Sequence, residues 1–218
     1  MTCPELVSHR SANRNLSVDI DFTRYMRLHP EGKKLILGWF NSAWEMRNKK
    51  DEHCFEPFIF LWIAFNAWAA CVTGFDQDYK WKTALMQHNE ICNKFDEFLK
   101  RNNSNILASN FYDFWPIFKS QEIRRNDIIY SYKKIDRKDI IDFYFTKGVQ
   151  EFEPNCWKRH LNADERPLDW PHTLAALYRV RCNLFHGEKA VNSEMDKLIV
   201  SIGFRVLLHF LKEEIFVD

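Results

Sequence analysis

The sequence is short of the residues that interrupt helices: its 218 residues include only 6 glycines and 7 prolines. So few breakers argue against the many tight turns of a sandwich or barrel and favour long helices. Charge bias is missing too, since 31 Lys and Arg against 30 Asp and Glu leave a formal net charge of +1. A protein that coats nucleic acid with its whole surface is far more basic, so any such partner has to be met by a local patch. The cysteines (Cys3, Cys54, Cys71, Cys92, Cys156 and Cys182) form no CxxC pair, and the His and Cys spacings fit no zinc site. Free thiols in a reducing compartment are the expectation, with no structural metal and no cofactor. Met1 to Ser17 carries Glu5, His9, Arg10 and Arg14 and no apolar core, unlike a secretory signal. The most apolar run, Pro57 to Val72, has about 16 residues against the roughly 20 that span a bilayer. A cytoplasmic protein with no membrane partner is expected.

What the chain has in quantity is apolar and aromatic material, 46% and 16% of its residues. That excludes wholesale disorder, and the length fits a single domain, 1–218, with a sizeable core. Leu35, Ile36, Trp39, Phe40 and Ala43 recur at helical spacing from Pro30 to Lys50, and Pro30 suits a first helical turn. Phe55 to Thr73 is apolar nearly all round and belongs at the centre of a bundle, with Gly74 as its stop. A third helix is predicted over Asp76 to Arg101, with Trp81, Leu85, His88, Ile91, Cys92, Phe95, Phe98 and Leu99 on one stripe. Asn102 to Asn105 reads as a loop.

Residues 106–170 carry a weaker pattern. Phe111, Phe114, Trp115, Ile117 and Phe118 suggest a short helix limited by Pro116. Ile128 to Phe145 suits helix or strand, and Glu151 to Trp170 an irregular connection. Order returns with a helix from Pro171 to about Phe185 burying Leu174, Leu177, Tyr178 and Leu184. A last helix follows from Ser193, a fair N-cap, to Phe216. The expectation is five or more helices and no sheet.

One stretch combines cations, an amide and an imidazole at the end of an apolar helix: Arg179, Arg181, Cys182, Asn183, His186, Gly187 and Lys189. On a regular helix Arg181 and His186 diverge by about 140°. If the helix ends near Phe185, His186 sits in the turn before Gly187 and can swing back. A histidine in a last helical turn also caps carbonyls and suits the helix dipole, and an arginine there can simply be solvated or carboxylate-paired.

Arg181-x4-His186, followed by Gly187 and the basic Lys189, resembles the R-x4-6-H motif of the HEPN superfamily. The stretch Phe60 to Trp68, with Asn66 inside it, is similar to the early core helix of many bacterial members. The resemblance covers roughly residues 30–100 and 170–216. It implies an all-α, HEPN-like helical bundle, with 1–29 as an N-terminal extension and 105–168 inserted before the last two core helices. It gives Arg181 and His186 the catalytic roles, with Asn183, Asn66 and Arg179 in support. The commonest version has Asn directly after Arg; here Cys182 holds that place and Asn183 follows. Arg179 fits the motif too, as Arg-x6-His.

The activity implied is metal-independent endoribonuclease cleavage, as in a toxin or a phage-defence effector with an antitoxin or regulatory partner. RNA carries its own nucleophile in the 2′-OH. A histidine titrating near neutrality moves the proton, and an arginine fork holds the phosphate. The products would be a 2′,3′-cyclic phosphate and a 5′-hydroxyl. Family members dimerise with two motifs facing one cleft, so a homodimer with a composite site is implied, and the aromatic surplus suggests an interface. Arg124, Arg125, Lys133 and Lys134, with Tyr130 and Tyr132 between them, could join Lys189 in gripping RNA. The interleaved Glu122, Asp127, Asp136 and Asp139 equally suit a solvated face. Asn66 is either a satisfied buried amide or a residue orienting the site. The other reading of the chain is a catalytically silent HEPN-like module that binds a partner protein or nucleotide.

Overall fold

Helices make up nearly all of the described secondary structure, as the scarcity of breakers leads one to expect. The computed structural model describes residues 20–125, 137–155, 167–185 and 194–216, with only the backbone of Arg124, Arg125 and residues 137–140. After a short helix α1 (Thr23–Met26), α2 (Pro30–Glu45) starts with Pro30 in its first turn, and the His29 ring accepts from the Glu31 N–H at 3.3 Å. It buries Ile36, Phe40 and Ala43, one face at four- and three-residue spacing. A 3₁₀ turn (Asp51–His53) leads into α3 (Phe55–Thr73). This helix is buried along Phe58, Leu61, Trp62, Phe65, Trp68, Ala69 and Val72, and ends at Gly74, whose φ of 72° is left-handed. At 19 residues, with a mean hydropathy of 1.5 over a window of 18, α3 meets the length and composition of a membrane span, although the apolar run in the sequence fell short of one. Half of that window is buried within the bundle.

The single helix expected over Asp76 to Arg101 is two, α4 (Asp78–Gln87) and α5 (Asn89–Leu99), parted by an extended His88. In a continuous helix the Leu85 carbonyl would accept from the Asn89 N–H. Here it accepts from the buried Trp170 indole at 3.1 Å. Asn102 to Asn105, expected as a loop, is the first turn of α6 (Asn102–Tyr112), whose buried Ser104, Ala108 and Phe111 hold it on the core. The expectations of no sheet and of a short helix that includes Ile117 and Phe118 are also corrected. Strand β1 (Ile117–Phe118) pairs antiparallel with β2 (Phe152–Glu153), Ile117 opposite Glu153 and Phe118 opposite Phe152. Two-residue strands are too short for an alternation to show in sequence.

Between the strands lie α7 (Ser120–Arg125) and α8 (Arg137–Thr146), so the described part of the segment that suited helix or strand is helical. The Glu122 carboxylate accepts from the Gln150 and Glu151 N–H groups at 2.9 and 3.0 Å, tying α7 to the approach to β2. The last core pair is α9 (Trp170–Phe185) and α10 (Glu194–Phe210), closed by a π-helical turn (Leu211–Ile215). Ser193, the expected cap of the last helix, lies outside the described residues. Asp51 accepts from Ser201 and pairs with Arg205 at 2.9 Å, fastening the 3₁₀ turn to α10. Gly203 lets α10 approach α6 and α9, because a Cβ there would lie 3.2 Å from Phe111 and 3.3 Å from Leu177.

The aromatic surplus is spent inside. Trp62, Trp68, Trp81, Trp115 and Trp170 are all fully buried, and Tyr79 and Phe185 are the large aromatics left exposed among the described residues. Trp170 packs on Phe210 at 4.7 Å and on Phe95 at 5.6 Å between ring centroids. Trp170→Phe removes the donor to Leu85 and some ring volume together. It is expected to cost about 2 kcal/mol, read as an earlier denaturation midpoint with an unchanged slope.

Candidate functional site at the end of α9

Helix α4 runs antiparallel to α9. Asp78 meets Arg181, Trp81 and Lys82 meet Tyr178, and Leu85 meets Trp170. Helical spacing puts Tyr178, Arg181, Cys182 and Phe185 on one face of α9, and Arg179 with Asn183 on another. The two arginines that the sequence left as alternatives are thus about 160° apart around the helix and meet different neighbours.

Arg181 is ion-paired with Asp78 at 2.9 Å, both side chains about one-quarter exposed (22% and 26%). Its guanidinium carbon lies 4.8 Å from the Phe185 ring centroid and 5.8 Å from that of Tyr178. The fork is therefore held on one edge by a carboxylate and along its plane by two rings. Its Nε is buried without a hydrogen-bond partner among the described residues. Tyr178 packs on Trp62 and Trp81, and its phenol is pushed up to about 12, first by burial and then by Cys182 and Asp78, against the pull of Arg181. It stays a neutral hydroxyl at any physiological pH.

On the other face, Arg179 also has a buried Nε with no partner among the described residues. Its field reaches Glu153, the last residue of β2. Burial raises the Glu153 carboxyl above the ordinary range, while Lys82, Arg179, the Asn155 N–H and His172 oppose that rise. Lys82 is 3.8 Å from Glu153 and 4.6 Å from the Tyr178 centroid. The end of the bundle thus carries an alternating set: Arg181 with Asp78, then Lys82 with Glu153, then Arg179.

Asn183, expected to support the site, is buried and turned the other way. Its Nδ2 donates to the Phe118 carbonyl at 2.8 Å, and its Oδ1 accepts from the Ser120 N–H at 3.4 Å. It ties the small sheet to α9. Among the described residues the buried Asn66 Oδ1 has no hydrogen-bond partner, and no hydrogen bond links it to Arg179, Arg181 or Asn183. His186, Lys189, Lys133 and Lys134 lie outside the described residues, as do the side chains of Arg124 and Arg125. Among the described residues no three His, Cys, Asp or Glu side chains converge at metal-binding distance.

Asp78, Lys82 and Glu153 had no signal of their own in the sequence. Asp78 and Lys82 are four apart beside the Trp81–Leu85 stripe, a pattern common to any amphipathic helix. No family model, no curated protein and no solved structure matches the chain.

Asn183→Ala should leave the Phe118 carbonyl and the Ser120 N–H without partners in a buried place. A loss of about 1–3 kcal/mol is expected, with faster amide exchange concentrated in Ile117 to Ser120 and Phe152 to Glu153. Uniform acceleration across α3 and α10 instead would mean that Asn183 supports the whole core rather than this seam.

Proposed function

We propose that this protein is a metal-independent endoribonuclease of the HEPN type. It cuts RNA through 2′-OH attack and acts as a toxin or phage-defence effector kept in check by an antitoxin or regulatory partner. Arg181 holds the scissile phosphate and stabilises its growing charge, and His186 moves the proton. The observation that carries this reading is the state of Arg181 at the end of α9. It is oriented by Asp78 and two aromatic rings, and it stands five residues before a histidine. A fork fixed in this way loses little freedom on meeting a phosphate. A second copy would bring the same helix end into a shared cleft and complete a site that has one histidine per chain. The alternative is a catalytically silent HEPN-like module that binds a partner protein or nucleotide. It is favoured by the same ion pair, because an arginine with its own carboxylate needs no phosphate.

His186→Ala and Arg181→Ala separate the two readings. Cleavage of RNA, or toxicity on expression, should fall by at least about a hundredfold for each, the scale for losing a general acid/base or a charge clamp. Stability should change by about 1 kcal/mol or less, since the Asp78 pair is partly solvated. Arg179→Ala should do less to the rate, and cleavage should persist in EDTA. Full activity in both alanine variants, with earlier melting, would leave the binding module as the function. Light scattering should report a dimer at micromolar concentration; monomer alone would remove the composite cleft.

A further inference from the structure

The cluster behind Arg181 contains a cation that the cleavage chemistry leaves unused. Lys82 lies one turn along α4 from Asp78, and its ammonium caps the Tyr178 ring that Arg181 also approaches, at 4.6 and 5.8 Å from the centroid. Its side chain is 17% exposed, close to the 22% of Arg181. The nearest carboxylate, Glu153, is 3.8 Å away, beyond hydrogen-bond length. Among the described residues Lys82 donates no hydrogen bond. An ammonium has three donors, and one this far out of water is short of acceptors. Charge points the same way. Among the described residues Arg181 is paired with Asp78, and Lys82 and Arg179 both act on Glu153, which sets three cations against two carboxylates. The cluster therefore carries surplus positive charge at the same end of the bundle as the reacting arginine.

We propose that Lys82 is a phosphate-binding residue of the site, contacting an RNA backbone phosphate beside the one held by Arg181. This rests on the ribonuclease reading above and extends it from one cation to two. A phosphate oxygen supplies the acceptor that Glu153 is too distant to provide, while the Tyr178 ring, which Arg181 also approaches, holds the ammonium. A purely structural Lys82, serving only to neutralise Glu153, would affect stability and nothing else.

The test is binding of a single-stranded, mixed-sequence 2′-O-methyl RNA, which has no free 2′-OH and is not cut, followed by anisotropy over a range of salt. Lys82→Met keeps the aliphatic stem and removes the charge; Lys82→Arg keeps the charge. The wild type should lose affinity with salt. For Lys82→Met the slope of log K against log salt should be smaller by about 0.7, the contribution of one phosphate on a single strand, and Lys82→Arg should restore it. If the wild type binds and Lys82→Met has the same slope, with or without a lower melting temperature, Lys82 touches no phosphate and the proposal is wrong. If the wild type neither binds this RNA nor cuts an unmodified one, the ribonuclease reading fails and this inference goes with it.

Discussion

Helix α3 has no polar face, and the rest of the molecule is arranged to cover it. Trp39 of α2 meets Phe60 at 5.2 Å, Trp81 of α4 meets Trp62 and Phe65 at 6.1 and 5.5 Å, and Trp170 of α9 meets Phe65 at 6.2 Å. Each buried ring removes on the order of 150–250 Å² from water, so sliding α4 along α3 would expose apolar surface faster than any polar contact could offset. Trp81 then fixes the register of its neighbours. Asp78 and Lys82, one turn apart on α4, meet Arg181 and Tyr178 because the tryptophan between them is anchored in the core. The polar cluster is a consequence of the apolar one.

The same dependence explains what the sequence could and could not reveal. Helices α2, α3 and α9 were legible because their periodicity is long and punctuated, by Pro30 at one end of α2 and by Gly74, in a left-handed conformation, after α3. The break at His88 was not, because the apolar stripe runs through it without a change of period. It coincides with a hydrogen bond from Trp170, a residue far along the chain. Ser104 turns Asn102 to Asn105 from an apparent loop into a helical turn by facing the core, which composition alone hides. At the site, Arg181 stood out as a cation at a helix end. Asp78, Lys82 and Glu153 did not, since an ion pair between distant segments leaves no local pattern. Asn183 stood out for its amide, and the structure puts that amide to use holding β1.

The pair of Arg181 with Asp78 shows how little stabilisation a site contact needs. About one-quarter exposed on each side, the pair adds on the order of 1 kcal/mol or less to folding. Its larger effect is on geometry, because it selects one orientation of a side chain with several rotatable bonds. In a catalytic site, loss of orientation by about 1 Å can cost about a hundredfold in rate even where stability is untouched. Residues at this end of the bundle are therefore better judged by where they hold a guanidinium than by what they add to the melting temperature.

Global neutrality and a local cationic cluster have a joint consequence for recognition. With a net charge of +1, the chain offers little long-range steering to a polyanion, so encounter is not accelerated by its overall field. Selectivity then depends on contacts made at short range, within about a Debye length of the cluster. Tyr79 and Phe185, the exposed aromatics among the described residues, belong to this same end, because α4 and α9 are antiparallel and Tyr79 follows Asp78 while Phe185 lies one turn beyond Arg181. Cations flanked by uncovered rings suit an unstacked, single-stranded partner better than a duplex, whose bases are not available to stack. On the ribonuclease reading proposed above, such a partner would be recognised by its flexibility and its phosphates together.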